Sequence, residues 1–198
     1  MQVETDVSDG MPSFDMVGFL TSEVKEARER VRTALKNAGF RLPAKKITIN
    51  LTPADVRKSG TGCDLPMAAS VLAAFGFLDE HILSNYLRFG EVGLNSSILP
   101  TKGVLSAAVL AQKEGMQGIV VPWENAREAA ILDTVKVIPV KNLKEFVQIC
   151  QQELPETCFT GSSRKSGRQS MMWIFRNCGA SRCCAVPARS PSAACTIC

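Results

Sequence analysis

Hydrophobic and polar positions change period along the first 150 residues, and each change marks an element. Val3, Thr5 and Val7 alternate with polar neighbours, which predicts a half-buried strand. Ser8-Asp9-Gly10-Met11-Pro12 is turn chemistry, and Phe14 opens a second short strand that ends near Gly18. Thr21 or Ser22 can then cap a helix, because Val24, Ala27, Val31, Ala34, Leu35 and Ala38 recur at helical spacing. Gly39 is the expected stop. Lys25, Arg28, Glu29, Arg32 and Lys36 cover the opposite face. Acids and bases interleave there, so the stripe reads as solvated surface rather than as a nucleic-acid face.

The pattern continues with a strand over residues 46–51, a buried alanine-rich helix over 65–77 and a strand over 86–94. A turn at Asn95-Ser96 leads into Ile98-Leu99-Pro100. A helix over 103–114, a strand over 119–122, a short helix over 124–132, a strand over 135–138 and a helix over 143–150 complete the series. Strands alternating with helices imply an α/β domain. No internal repeat is visible.

Composition changes this picture only near the end of the chain. The 198 residues are 45% hydrophobic and 21% charged, a globular balance. The net charge of +4 is unevenly placed. Residues 1–157 hold 17 Lys/Arg against 19 Asp/Glu, whereas residues 158–198 hold six Lys/Arg and no acid. The body gives no electrostatic reason to invoke nucleic acid. Of eight cysteines, only Cys63 and Cys150 precede residue 158. No apolar run approaches the about 20 residues a membrane span requires, and the first ten residues lack the features of a signal peptide. The expected address is cytoplasmic, with no membrane partner.

The candidate chemistry sits in Asn50 to Met67, NLTPADVRKSGTGCDLPM, between a strand and a helix. Gly60 and Gly62 suit a dinucleotide fingerprint, but Leu65 stands where the third glycine belongs and the strand ends well before Gly60. The phosphate-loop string G-x-x-x-x-G-K-[ST] occurs nowhere. Cys63 as a nucleophile needs a base, and His81, the one histidine, lies in Asp79-Glu80-His81 at the start of a short helical stretch, where it is expected to be solvent-exposed. Cys63 therefore reads as a semi-buried loop residue. Asp64 reads as a helix N-cap rather than as the partner of Glu91 in acid–base chemistry.

FDMVGF, VKEARERVRTALKNAGF, PAKKITINLTPADVRK, GTGCDLPMAAS, FGEVGLNSSILPTKGVLSAA and GIVVPWENAREAA together resemble one family. It is the ComM/YifB group of magnesium-chelatase-like AAA+ proteins, matched over its N-terminal domain. The resemblance implies an α/β, two-layer fold like the proteolytic domain of Lon, related to GHMP kinases, over residues 1–152. It also implies where a Lon-type serine–lysine dyad would stand: near Gly62 and near Ala107, which carry neither hydroxyl nor amine. A dyad shifted onto Thr61, Cys63 and Lys102 is the minor alternative, a Lon-like serine or cysteine peptidase. The expectation is thus no catalytic, cofactor-binding or metal-binding residue in this chain. In the family, such a domain accompanies an AAA+ motor that uses ATP and magnesium, assembles as a homo-oligomeric ring and acts on DNA in branch migration during competence. This chain is then expected to be an accessory or assembly module, truncated before that motor.

Residues 153–198 are expected to be a disordered tail arising from a frameshift. Back-translated and read two nucleotides later, Met171-Met172-Trp173-Ile174 forces Asp-Val-Asp and Asn177-Cys178 forces Leu, as in the family's approach to its phosphate loop. A zinc tail built on Cys195-x-x-Cys198 is the competing reading, with Cys178, Cys183 and Cys184 as poorly spaced partners. The resemblance further implies a strand before Gln2, so the first sheet is expected to show an open edge.

Overall fold

The computed structural model describes residues 1–152 together with the strand Ala193–Thr196. The first sheet is built from β1 (Gln2–Ser8), β2 (Ser13–Val17), β3 (Lys46–Thr52) and β9 (Ala193–Thr196) in the order β2-β3-β1-β9. β2 runs parallel to β3, and β1 is antiparallel to both its neighbours. The alternation read from the sequence decides which face is buried. Val3, Thr5, Ile47, Ile49 and Leu51 point inward, while Asn50 on the outer face donates to Glu4 Oε2 across the β3–β1 pair at 3.0 Å.

Helices α1 (Ser22–Asn37) and α2 (Asp64–Ala74) cover the buried face. α1 presents Val24, Ala27, Val31, Ala34 and Leu35 inward, the stripe expected from its spacing. It ends when Gly39, at φ +87°, lets the Phe40 N–H turn back to the Leu35 carbonyl at 3.1 Å. α2 is buried almost throughout, from Asp64 to Leu72. It stops three residues before its expected end at Phe77, because Gly76 makes the same turn and the Phe77 N–H reaches Leu72 O at 2.9 Å.

The chain then forms the short α3 (Glu80–Ser84), β4 (Tyr86–Arg88) and a two-stranded hairpin of β5 (Glu91–Val92) and β6 (Ile98–Leu99). α4 (Val104–Lys113), β7 (Gly118–Pro122), a 3₁₀ turn (Trp123–Asn125), α5 (Ala126–Ala129), β8 (Lys136–Val140) and α6 (Leu143–Gln151) follow. The single strand expected over 86–94 is thus two strands in different sheets, parted at Phe89-Gly90.

β4, β7 and β8 make a parallel sheet in that order along the sheet, β4-β7-β8. β7 is buried at every position, as befits a central parallel strand covered on both faces. Val120 and Ile138 join the larger core, with Phe146 of α6 and the packing of α1 and α2. Ile119, Val121 and Val137 join a smaller core with Ala107, Ala108 and Ala129 of α4 and α5. The α/β class is borne out, and two-layer packing describes the first sheet with its pair of helices. The parallel sheet instead has helices on both sides.

The tail assigned to residues 153–198 lies outside the described residues, as does its cysteine cluster, apart from β9. The edge of β1 expected to be open is partly covered: Gln2 to Thr5 pair with Thr196 to Ala193. Among the described residues no helix is long and apolar enough to cross a membrane.

Candidate functional site

The loop between β3 and α2 is pinned at several points. Lys58 donates its N–H to Phe19 O at 3.0 Å and accepts from Thr21 N at 3.2 Å. Its side chain is 4% exposed, with Nζ turned to the carbonyl of Pro53. Gly60 N donates to Glu23 Oε2 at 3.1 Å. Beyond it the loop is stitched to the break between β4 and β5: Gly90 N donates to Gly62 O and Leu65 N to Gly90 O, each at 3.0 Å. That stitch explains the split strand, since Gly90 gives its backbone groups to the loop.

Phe89 fills the space so enclosed. A Cβ placed on Gly62 would lie 2.4 Å from Phe89 Cε2 and 2.5 Å from its Cζ, closer than atoms can pack. On the other side, a Cβ on Gly103 would stand 4.0 Å from the same Cζ. Gly103 caps α4, and Ala107, 1% exposed, lies on the first turn beyond it. The ring therefore sits between the loop at Gly62 and Gly103 at the start of α4.

The start of α4 is held from α5. Asn125 accepts from Thr101 N at 3.0 Å and donates to Thr101 O at 3.1 Å. It also donates to Glu128 Oε2 at 3.0 Å, while Glu128 Oε1 accepts from Leu105 N at 3.2 Å. A carboxylate on a free N–H at a helix N-terminus is favourable both as a hydrogen bond and against the helix dipole.

The remaining candidates sit in unlike surroundings. Thr61 accepts the Asp64 N–H through its backbone at 3.2 Å. Lys102 and His81 are exposed. Cys63 is buried, and burial, then the charge of Asp64, push its thiol up to about 11 against a smaller opposing pull from the N-terminus and Lys58. A thiol held that high is a poor nucleophile at neutral pH.

Asp64 is not the expected N-cap. Cys63 occupies that place and makes no side-chain cap bond, while Asp64 is the first helical residue, wholly buried. Its carboxylate takes Arg30 Nε at 2.8 Å and Arg30 Nη2 at 3.1 Å, and faces Val92 N at 3.4 Å. Burial pushes this carboxyl above its ordinary range; the hydrogen bonds and charge of Arg30 pull the other way, and Glu91 adds a small upward push. The Asp64 hydrogen bond raises Arg30 in turn. Arg30 was absent from the sequence expectations. It stands three residues after Ala27 and four before Ala34, on the margin of the buried stripe, and that spacing is the signal for an inward arginine. Among the described residues no group of three His, Cys, Asp or Glu could hold a metal ion.

The family model described as subunit ChlI of Mg-chelatase matches residues 3–125. Competence protein ComM of Haemophilus influenzae is 38% identical over 155 residues, 77% of this chain and 30% of that protein. YifB of Escherichia coli is 43% identical over 131 residues, 66% of this chain and 26% of that protein. Lon protease of Buchnera aphidicola subsp. Acyrthosiphon pisum is 21% identical over 167 residues, covering 78% of this chain and 21% of that one. The chain thus spans less than a third of the length of these relatives. Since the match takes in β1 from Val3 onward, β2 and β3, the stitched loop, α4 and the β7 strand, the chain belongs to the family of the Mg-chelatase subunit ChlI, alongside the ComM and YifB proteins.

Proposed function

We propose that this chain is a non-catalytic accessory module of a magnesium-chelatase-like AAA+ ATPase of the ComM/YifB type, on a Lon-like scaffold related to that of GHMP kinases. The observation that carries the reading is Phe89 against Gly62: where a Lon-type hydrolase would present its nucleophile, there is no side chain and no room for one. Ala107 offers no amine in place of the lysine. Cys63, the neighbouring thiol, is held protonated by burial.

ATP and magnesium belong to the parent protein in this reading. The phosphate-loop string occurs nowhere in these 198 residues, so no step of nucleotide chemistry is assigned to them. The module packs on its own motor, favours assembly of a homo-oligomeric ring and shapes access of DNA to it, in the cytoplasm. The purified 198-residue chain is expected to show neither ATP hydrolysis nor cleavage of an unfolded protein substrate. Proteolysis that disappears on Cys63→Ala or Thr61→Ala would replace this reading with the Lon-like peptidase one. In the Haemophilus ComM protein, deletion of the matching domain is expected to weaken ring assembly while leaving nucleotide binding intact.

A further inference from the structure

We propose that the cleft between the C-terminal half of α1 and the segment 40–47 binds a single strand of nucleic acid through its phosphates and one base. The cleft measures about 770 Å³, the size of a site for a nucleotide-sized group. Arg32 and Lys36 stand on the α1 wall and Arg41 and Lys45 on the facing wall. Arg32 and Lys36 are one helical turn apart, about 6 Å of rise, on the order of the phosphate step along an extended strand. Arg32, Lys36 and Arg41 have no ion-pair partner among the described residues, and Lys45 holds only the exposed Asp9, at 3.1 Å. Glu29 is the one acid in the lining, and Arg28 takes it at 3.2 Å.

This grouping is what the averaged charge concealed. Residues 1–157 are slightly acidic overall, yet one cleft gathers four cations. Its floor is apolar and includes Phe40, whose ring is half-buried and held edge-on by Phe77 at 5.4 Å between centroids and 63° between planes. A lone phosphate has no use for such a floor. A fixed aromatic face beside a cationic wall is how sequence-tolerant binders hold a strand, by stacking a base and tracking the backbone. The inference goes beyond the accessory reading and concerns a different part of the molecule from the Gly62 site, so either can fail without the other.

The test is fluorescence anisotropy of a labelled oligothymidylate with the full chain, across a salt series. Arg32→Glu with Lys36→Glu is expected to weaken binding by about tenfold or more at low salt and to flatten the salt dependence by about 0.7 of a log unit per lost contact. Phe40→Leu keeps an apolar side chain but loses the stacking face; it is expected to weaken binding about fivefold with the salt slope unchanged. Lys113→Glu with Lys136→Glu, exposed elsewhere, is expected to have little effect. Thermal melts confirm that each variant folds. Binding that ignores the Arg32/Lys36 pair and vanishes when Arg164, Lys165 and Arg168 are changed to Gln overturns the proposal. So does equal competition by thymidine monophosphate at matched phosphate concentration, by a duplex, or by an acidic peptide.

Discussion

At Gly62 a single methyl group is enough to set the loop against Phe89. Gly62→Ala is expected to destabilise the chain by about 1–3 kcal/mol, the range for overpacking a closed site. Backbone strain is not the cause, because Gly62 is not among the glycines with positive φ. Phe89→Ala opens the space, so Gly62→Ala in that background should cost much less; urea unfolding of the four-member cycle measures the coupling. Asp64 gives a second prediction. Asp64→Ala removes the main partner of Arg30 and is expected to cost about 3 kcal/mol, the lower end of the range for breaking a buried pair, because Arg30 keeps Glu26 at 3.9 Å, the Glu23 carbonyl at 3.2 Å and 20% of its side chain in water. Cys63 gives a third, with a definite sign. Its folded value of about 11 lies above the ordinary 9.0. The stability it adds is therefore fully present below the ordinary value and is lost as pH rises toward about 11. Wild type should lose more stability than Cys63→Ala between pH 8.5 and 10.5, read from urea midpoints. The resemblance directed attention to Gly62 and Ala107 from the sequence alone. It did not reveal Phe89, which in sequence is only one more apolar residue in a strand, nor the ion pair, whose partners lie on different helices.

At the scale of elements, local pattern located nearly every helix and strand, since burial follows the spacing in α1, β1 and β3. The misjudged elements have different causes, one long-range and one local. Tyr86 to Leu94 reads as one run rich in strand-forming residues, although the apolar phase shifts from Leu87 and Phe89 to Val92 and Leu94 across Gly90; the Gly90 bonds to Gly62 and Leu65 are long-range and leave no mark of their own on spacing. α2 was overextended because Phe75 and Phe77 suit a helix, although Gly76 was the visible stop. Asn125 and Glu128 act on a helix that is not their own. Asn125→Ala should leave Thr101 N and O without these partners, costing about 1–3 kcal/mol. Hydrogen exchange should show faster exchange at Thr101 and Leu105 with little change in the β7 strand. Equal loss of protection in β7 would mean that Asn125 supports the whole sheet rather than the start of α4.

At the scale of the whole molecule, two cores suggest two melting units, yet they share one wall. β7 gives Val120 to the larger core and Ile119 and Val121 to the smaller, and β8 divides Ile138 and Val137 in the same way. Neither core can lose its packing without exposing apolar atoms of a strand that the other core also needs. The unfolding of the described body is therefore expected to be a single cooperative transition by calorimetry. Leu72→Ala lies in the larger core and Leu87→Ala in the smaller, both wholly buried. Each should cost about 2–5 kcal/mol, and each kilocalorie should lower the one melting temperature by about 2–4 °C for a body of this size. If the cores were independent, each substitution would move one of two peaks and leave the other in place. A double variant tests the shared wall further: the two costs are expected to add in free energy while the transition stays single.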